Sequence, residues 1–163
     1  MNNQPKIDIT KPRFALLLDA IAIITFAALL IYLFSQYGSL PDRVPGHYNG
    51  AGKVDRWGSK VELFFLPIIG AALWIFMFVM EKFPHTYNYL NLTEKNAEAQ
   101  YRNGMLMMNV LKNEMILLFC FITYQNMQVA SGNAEGLGTG FMPIFLGLIF
   151  ATISVFMVRM VRL

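Results

Sequence analysis

The stretch FALLLDAIAIITFAALLIYLFSQY, residues 14–37, decides the fold class. It runs for 24 residues with one charge, Asp19. A helix of about 20 apolar residues crosses a hydrocarbon core of about 30 Å. No apolar block alternates with a period of two, which excludes a lipid-facing barrel. Backbone groups in lipid must then be paired inside helices. Three further blocks follow the first. Residues 61–80 carry only Glu62, residues 141–161 carry only Arg159, and residues 105–129 enclose Asn109, Lys112, Asn113 and Glu114. The four blocks hold 90 of the 163 residues. They explain a composition that is 56% hydrophobic and 14% charged, with mean hydropathy +0.46. Soluble domains run at about 45–50% apolar and about 25% charged. Disorder, collagen, coiled coil and a disulfide scaffold are excluded, and the balance argues against a water-soluble enzyme of ordinary build. The expectation is an all-α integral membrane protein, one membrane domain over 1–163 with four transmembrane helices.

Charge placement predicts orientation. Outside the spans, the N-terminal segment has Lys6, Lys11 and Arg13, the first connection has Arg43, Lys53, Arg56 and Lys60, the second has Lys82, Lys95 and Arg102, and the third has none. Arg159 and Arg162 close the chain. Both termini cytoplasmic puts eight cations inside and four outside. The net charge of +3 and pI near 9.1 thus reflect membrane orientation, with no basic patch for nucleic acid. The first span is too long for an ordinary signal-peptide core and no small-x-small cleavage site follows it, so it reads as a retained helix. Residues 82–104 read as a cytoplasmic helical extension of the third span. Thr93 is a natural N-cap, Glu94 suits the first turn, and Glu98 stands four residues before Arg102. The third connection, 130–140, reads as a flexible Gly-rich turn.

The first connection, 38–60, is far longer than two helices need. Pro41 and Pro45 restrict it, while Asn49-Gly50 and Gly52 permit a tight reversal. A short extracytoplasmic hairpin closed over Gly50-Ala51 follows, flanked by His47-Tyr48 and Val54-Asp55. Trp57 suits the interfacial level. The string Leu40-Pro41-x-x-Val44-Pro45-x-His47-Tyr48-Asn49-x-x-Gly52-x-x-Asp55-Arg56-Trp57-Gly58-Ser59-Lys60 resembles the signature of a bacterial membrane domain of unknown function. That domain forms the N-terminal part of SdpI-type immunity and signal-transduction proteins. A weaker likeness is Asn88-Tyr89 followed by Glu94, Asn96 and Tyr101. The resemblance implies a multi-pass protein of the bacterial cytoplasmic (inner) membrane, with His47, Asn49, Gly52, Asp55, Gly58 and Lys60 at motif positions.

Three chemistries compete for this loop. Its Asp residues can cap turns and pair with Arg43, Arg56 or Lys60, with His47 hydrogen-bonded locally. It can bind an anionic or peptide ligand through Asp42, Arg43, His47, Asn49, Asp55, Arg56, Trp57 and Lys60. Or His47, Asp42, Asp55 and Ser59 can serve hydrolysis or a metal, although one His and two Asp lack a zinc-site spacing. Arg43, Arg56 and Lys60 also suit lipid headgroups, each gaining about 1 kcal/mol near anionic lipid.

Ionisable groups inside spans are costly and often functional. Asp19 lies about 9 Å, and Lys112 about 12 Å, from the same side at 1.5 Å per residue. These two are expected to pair, with Asn109 and Asn113 on the Lys112 face. Glu114 points about 200° away and needs another partner. Pro67 and Pro143 are expected to kink their helices. Gly70-Ala71-Ala72 and Gly147-x-x-x-Ala151 are expected to let helices approach closely. The sequence therefore favours a non-enzymatic module whose 40–60 loop binds an extracellular peptide, toxin or lipid. Its alternatives are a small transporter or transporter subunit using Asp19, Lys112 and Glu114, and a membrane-surface enzyme with a metal at His47. No cofactor and no catalytic residue is expected. Membrane lipids, a peptide or toxin, a cytoplasmic regulator at 82–104 and a second copy of the chain are the expected partners.

Overall fold

The computed structural model describes residues 4–163. Four long helices dominate it: α1 (Arg13–Gln36), α2 (Phe65–Met80), α3 (Ala97–Ala130) and α4 (Phe141–Arg162). A 3-10 turn, Lys60–Phe64, leads into α2 and extends it to a 21-residue apolar element. All four helices are long and apolar enough to span a membrane. Their outward faces are apolar side chains left uncovered, among them Ile24, Ile31, Ile68 and Ile144. Water does not tolerate such a belt, whereas lipid does.

The expected hairpin is present and longer than the sequence suggested. Strands β1 (Arg43–Tyr48) and β2 (Val54–Ser59) pair antiparallel, so the fold is helical with one two-stranded addition. Pairing runs from Arg43 opposite Ser59 to Tyr48 opposite Val54, but Gly46 and Asp55 have no opposite number. These are two bulges, one on each strand, and they cancel in register. Asn49 makes the turn: its backbone N–H donates to Lys53 O at 2.9 Å, and its side-chain Oδ1 accepts from the N–H groups of Ala51 and Lys53 at 3.0 and 3.1 Å.

α3 is the hub, packing on α1, α2, α4 and β1. Gly70 of α2 lies so close to it that an added Cβ would stand 2.9 Å from Ile116 and Phe119, as the small-residue run predicted. Gly147 faces open space, so the second small-residue pair makes no close approach. Pro67 and Pro143 fall in the first turns of α2 and α4. At Pro143 a missing N–H removes no intrahelical bond, so that position does not call for the expected kink, whereas Pro67 stands just where the 3-10 turn passes into α2.

Two small cores sit at opposite ends. Under the hairpin, Leu33, Leu40, Val44, Leu63 and Met127 cluster. At the other end, Ala15, Met105, Leu106 and Phe156 cluster, covered by Ile9. That end also gathers both ends of the described chain: Asn96 Nδ2 donates to Leu163 O at 3.2 Å, and the Tyr101 hydroxyl donates to Gln4 Oε1 at 3.5 Å.

Two connections differ from expectation. Residues 81–96 are not helical apart from a 3-10 turn at Pro84–Thr86, and α3 starts at Ala97. Pro84 disfavours helical backbone at Phe83, and Tyr87 stacked on Tyr89, which packs tilted against Tyr101, holds the segment against α3. Thr93 and Asn96 exchange side-chain-to-backbone bonds just before the helix, so the capping signal is real but lies a turn early. The 131–140 connection is seated on the hairpin turn. Lys53 bridges Gly136, Leu137 N–H donates to Gly52 O at 2.8 Å, and Gln125 Nε2 donates to Gly136 O at 2.7 Å.

Gly52 makes this seat possible. Its φ is +72°, and a Cβ there would collide with the Gly138 carbonyl. Gly132 shares the positive φ, at +76°, but has nothing within 4 Å. Gly132→Ala should therefore lower stability by only the left-handed backbone term, about 1–2 kcal/mol. Gly52→Ala should lower it further and free the 131–140 connection, read as the larger fall in thermal midpoint in detergent.

Candidate functional site

Two clusters of chemistry lie at opposite ends of the bundle. The first is buried between α1, α2 and α3. Lys112 is 0% exposed, and its Nζ stands 2.8 Å from Asp19 Oδ1 and 2.5 Å from Glu81 Oε1. The expected Asp19–Lys112 pair is therefore present. Asn109 and Asn113 lie one helical turn apart on the same face, and the Nδ2 of each donates to Asp19 Oδ1 at 2.8 Å. Trp74 Nε1 donates in turn to Asn113 Oδ1 at 2.9 Å. The rings of Trp74 and Phe78 lie 4.7 and 5.0 Å from Lys112 Nζ. Asparagine donors and aromatic faces thus replace the water that these charges lose.

Two members of this cluster were missed in the sequence. Glu81 stands one residue beyond the second apolar block, at the start of a stretch that reads as polar and mostly helical, yet it caps the end of α2 and is 4% exposed. Lys11 reads as an orientation charge, yet its Nζ donates to Asp19 Oδ2 at 2.7 Å and contacts Glu81 Oε2. Two cations and two carboxylates make the cluster neutral. Burial opposes the charge on Lys11, but its bonds to Asp19 and Glu81 outweigh that and hold its pKa above the ordinary lysine value.

Glu114 lies apart from the quartet, on the α4 side of α3. Its Oε1 accepts from the Thr152 hydroxyl at 2.6 Å, and Oε2 has no hydrogen-bond partner. It borders an apolar groove between α3 and α4 lined by Leu117, Leu118, Phe121, Phe141 and Phe145.

The hairpin forms the second cluster. His47 Nδ1 lies 2.6 Å from Asp55 Oδ1, with both side chains exposed. Arg56 forks onto Glu62, Nη1 to Oε1 at 3.2 Å and Nη2 to Oε2 at 2.9 Å, and also donates to Gly46 O at 2.6 Å. The space for this fork exists because Gly46 and Gly58 lack side chains: a Cβ at either would strike the Glu62 carboxylate. Lys60 Nζ lies 3.4 Å from Asp42 Oδ1 and 5.1 Å from the Tyr37 ring centroid. Arg43 reaches the Trp57 carbonyl at only 3.5 Å, and Trp57 itself is 44% exposed. Among the described residues, no group of three or more His, Cys, Asp and Glu side chains is arranged to hold a metal. The loop residues named from the sequence divide accordingly. Asn49 builds the turn, Arg56, Lys60 and Asp42 brace the base, and His47, Asp55, Arg43 and Trp57 remain presented at the surface.

Tyr48, read from the sequence only as a residue flanking the turn, anchors the hairpin to α3, its hydroxyl donating to Asn126 Oδ1 at 2.7 Å. Burial pushes the phenol pKa up to about 12 from 10.0. A raised pKa on a neutral acid means stability that is complete below pH 10 and lost as pH climbs toward 12. Tyr48→Phe should remove one bond, about 1–2 kcal/mol, and abolish that part of the alkaline loss, followed by thermal midpoint against pH. Lys112→Met should be far more damaging, about 3–5 kcal/mol, because it leaves a buried carboxylate unpaired. Adding Glu81→Gln should recover a large part of it in the same assay.

Residues 21–71, from the middle of α1 through the hairpin to the first turns of α2, match the family described as Domain of unknown function (DUF1648). An uncharacterized protein of Archaeoglobus fulgidus is 40% identical over 47 residues, 29% of this chain and 26% of that protein. The matched part is thus about a quarter of the relative's length. No solved structure matches the chain. Over its hairpin and flanking helices, this multi-pass membrane protein is similar to a domain of unknown function.

Proposed function

We propose that the chain is a non-enzymatic recognition module of the SdpI-like immunity or sensor type in the bacterial cytoplasmic (inner) membrane. Its termini are cytoplasmic, and its hairpin meets a peptide, toxin or lipid headgroup on the outer face. The observation that carries this reading is the firmly seated hairpin with an open polar edge. Tyr48–Asn126 and Gly52–Leu137 hold its turn end, and the buried Val44 holds its base. His47, Asp55 and Trp57 stay exposed. A rigid support under presented charge and indole is what a binding loop needs. Lipid contact fits the same surface, since Trp57 and the nearby cations suit the headgroup layer. A transporter reading has less support: Asp19 and Lys112 neutralise each other together with Glu81 and Lys11, which favours a clamp over a carrier.

The test uses cells expressing the protein, challenged with a panel of secreted membrane-active peptides. A hydrophilic maleimide should label the His47→Cys variant in intact cells, as an outer-face hairpin requires. Wild-type cells should survive at least one peptide that kills vector controls. His47→Ala, Asp55→Ala and Trp57→Ala at unchanged expression should return survival to the control level. Equal survival of wild-type and vector cells across the panel overturns the reading.

A further inference from the structure

Residues 4–12 have no regular secondary structure, yet they are tied to the bundle along their length. Gln4 Nε2 donates to Tyr87 O at 3.2 Å and Ile9 packs onto the Ala15–Met105–Phe156 core. Lys11 then turns inward. Its Nζ lies 2.7 Å from Asp19 Oδ2, against Glu81 Oε2, and 5.0 Å from the Phe78 ring centroid. Carboxylates combined with an aromatic face are the chemistry that recognises an organic ammonium.

Asp19 and Lys112 are carried within helices, and Glu81 caps α2. Lys11 alone among the quartet stands on neither a helix nor a helix cap. Lys112 is wholly enclosed, but the Lys11 side chain is 18% exposed, so its position can be reached from the surface. A groove of about 550 Å³ lies between Gln4, Pro5 and the 88–94 connection, beside the start of the segment. Were Lys11 withdrawn, two carboxylates would face one ammonium, and the buried Glu81 Oε2, which receives no other hydrogen bond, would have no partner. A buried charge does not stay unpaired.

We propose that the position bounded by Asp19, Glu81 and Phe78 is an ammonium-binding site. The chain's own Lys11 fills it here, and the primary ammonium of another molecule takes it when the 4–12 segment lifts. The segment is a tethered plug. Its N–H donors matter as well as its charge, so a primary ammonium binds where a quaternary one or a sodium ion does not.

The experiment uses the purified full chain in detergent, with n-butylammonium chloride as the probe. Lys11→Ala should lower the thermal midpoint, and n-butylammonium should restore most of the loss. Equal concentrations of sodium chloride or tetramethylammonium chloride should restore little. Lys11→Ala with Glu81→Gln removes the uncompensated charge, so it should keep most of the midpoint and gain nothing from the amine. A second measurement keeps Lys11 in place and uses Ile9→Cys, the native Cys120 being buried. There n-butylammonium should raise the rate of maleimide labelling several-fold over sodium chloride as the plug is displaced. A Lys11→Ala response that is the same for all three salts overturns the proposal, as does a labelling rate of the Ile9→Cys variant that the amine leaves unchanged.

Discussion

A lysine buried completely on a membrane-spanning helix must meet its counter-charge wherever the chain can supply one. Lys112 is that residue, and the placement of three helices follows from how its charge is answered. α1 brings Asp19, the end of α2 brings Glu81, and α3 flanks its own lysine with Asn109 and Asn113. Each partner fixes a helix both along its axis and in rotation, because a slide of one turn would move a charge by about 5.4 Å. Between helices in lipid there is no hydrophobic driving force, since the surrounding tails are as apolar as the side chains. Specific polar contacts must then define the arrangement, and this cluster supplies the densest set.

The hairpin end is organised differently. There the helices emerge from the apolar zone, and ordinary burial becomes available again. Leu40 and Val44 join Leu33, Leu63 and Met127 in a core that would suit a soluble domain. The 131–140 connection closes over the hairpin turn through backbone bonds at Gly52 and Gly136. Charge therefore registers one end of the bundle, and packing with backbone pairing registers the other.

What the sequence disclosed follows the same division. Helical periodicity places residues on faces, so the meeting of Asp19 with Lys112 and the shared face of Asn109 and Asn113 are readable from spacing. Turn chemistry locates the hairpin at Asn49 and Gly52. Periodicity is blind to residues just outside a span, and Glu81 and Lys11 both sit there, which hides half of the quartet. The 81–96 segment misleads because its cap signal at Thr93 competes with Pro84, whose effect on Phe83 ends helical backbone. The seat of 131–140 depends on backbone groups of glycines far apart in the chain, and side-chain patterns carry no trace of such contacts. The role of Tyr48 is hidden likewise, since its partner Asn126 lies on another element.

α4 shows a different economy. Gln100 and Asn103 reach across from α3 and donate to the main-chain carbonyls of Met160 and Phe156, at 2.9 and 3.0 Å. Those acceptors exist in any helix laid along that path, whatever side chains it carries. These two contacts are thus indifferent to the letters of α4, whereas Thr152, the partner of Glu114, and Phe156, packed with Ala15 and Met105, are specific to them. An unrelated apolar helix that keeps those two side chains would find the same main-chain anchors waiting for it on α3.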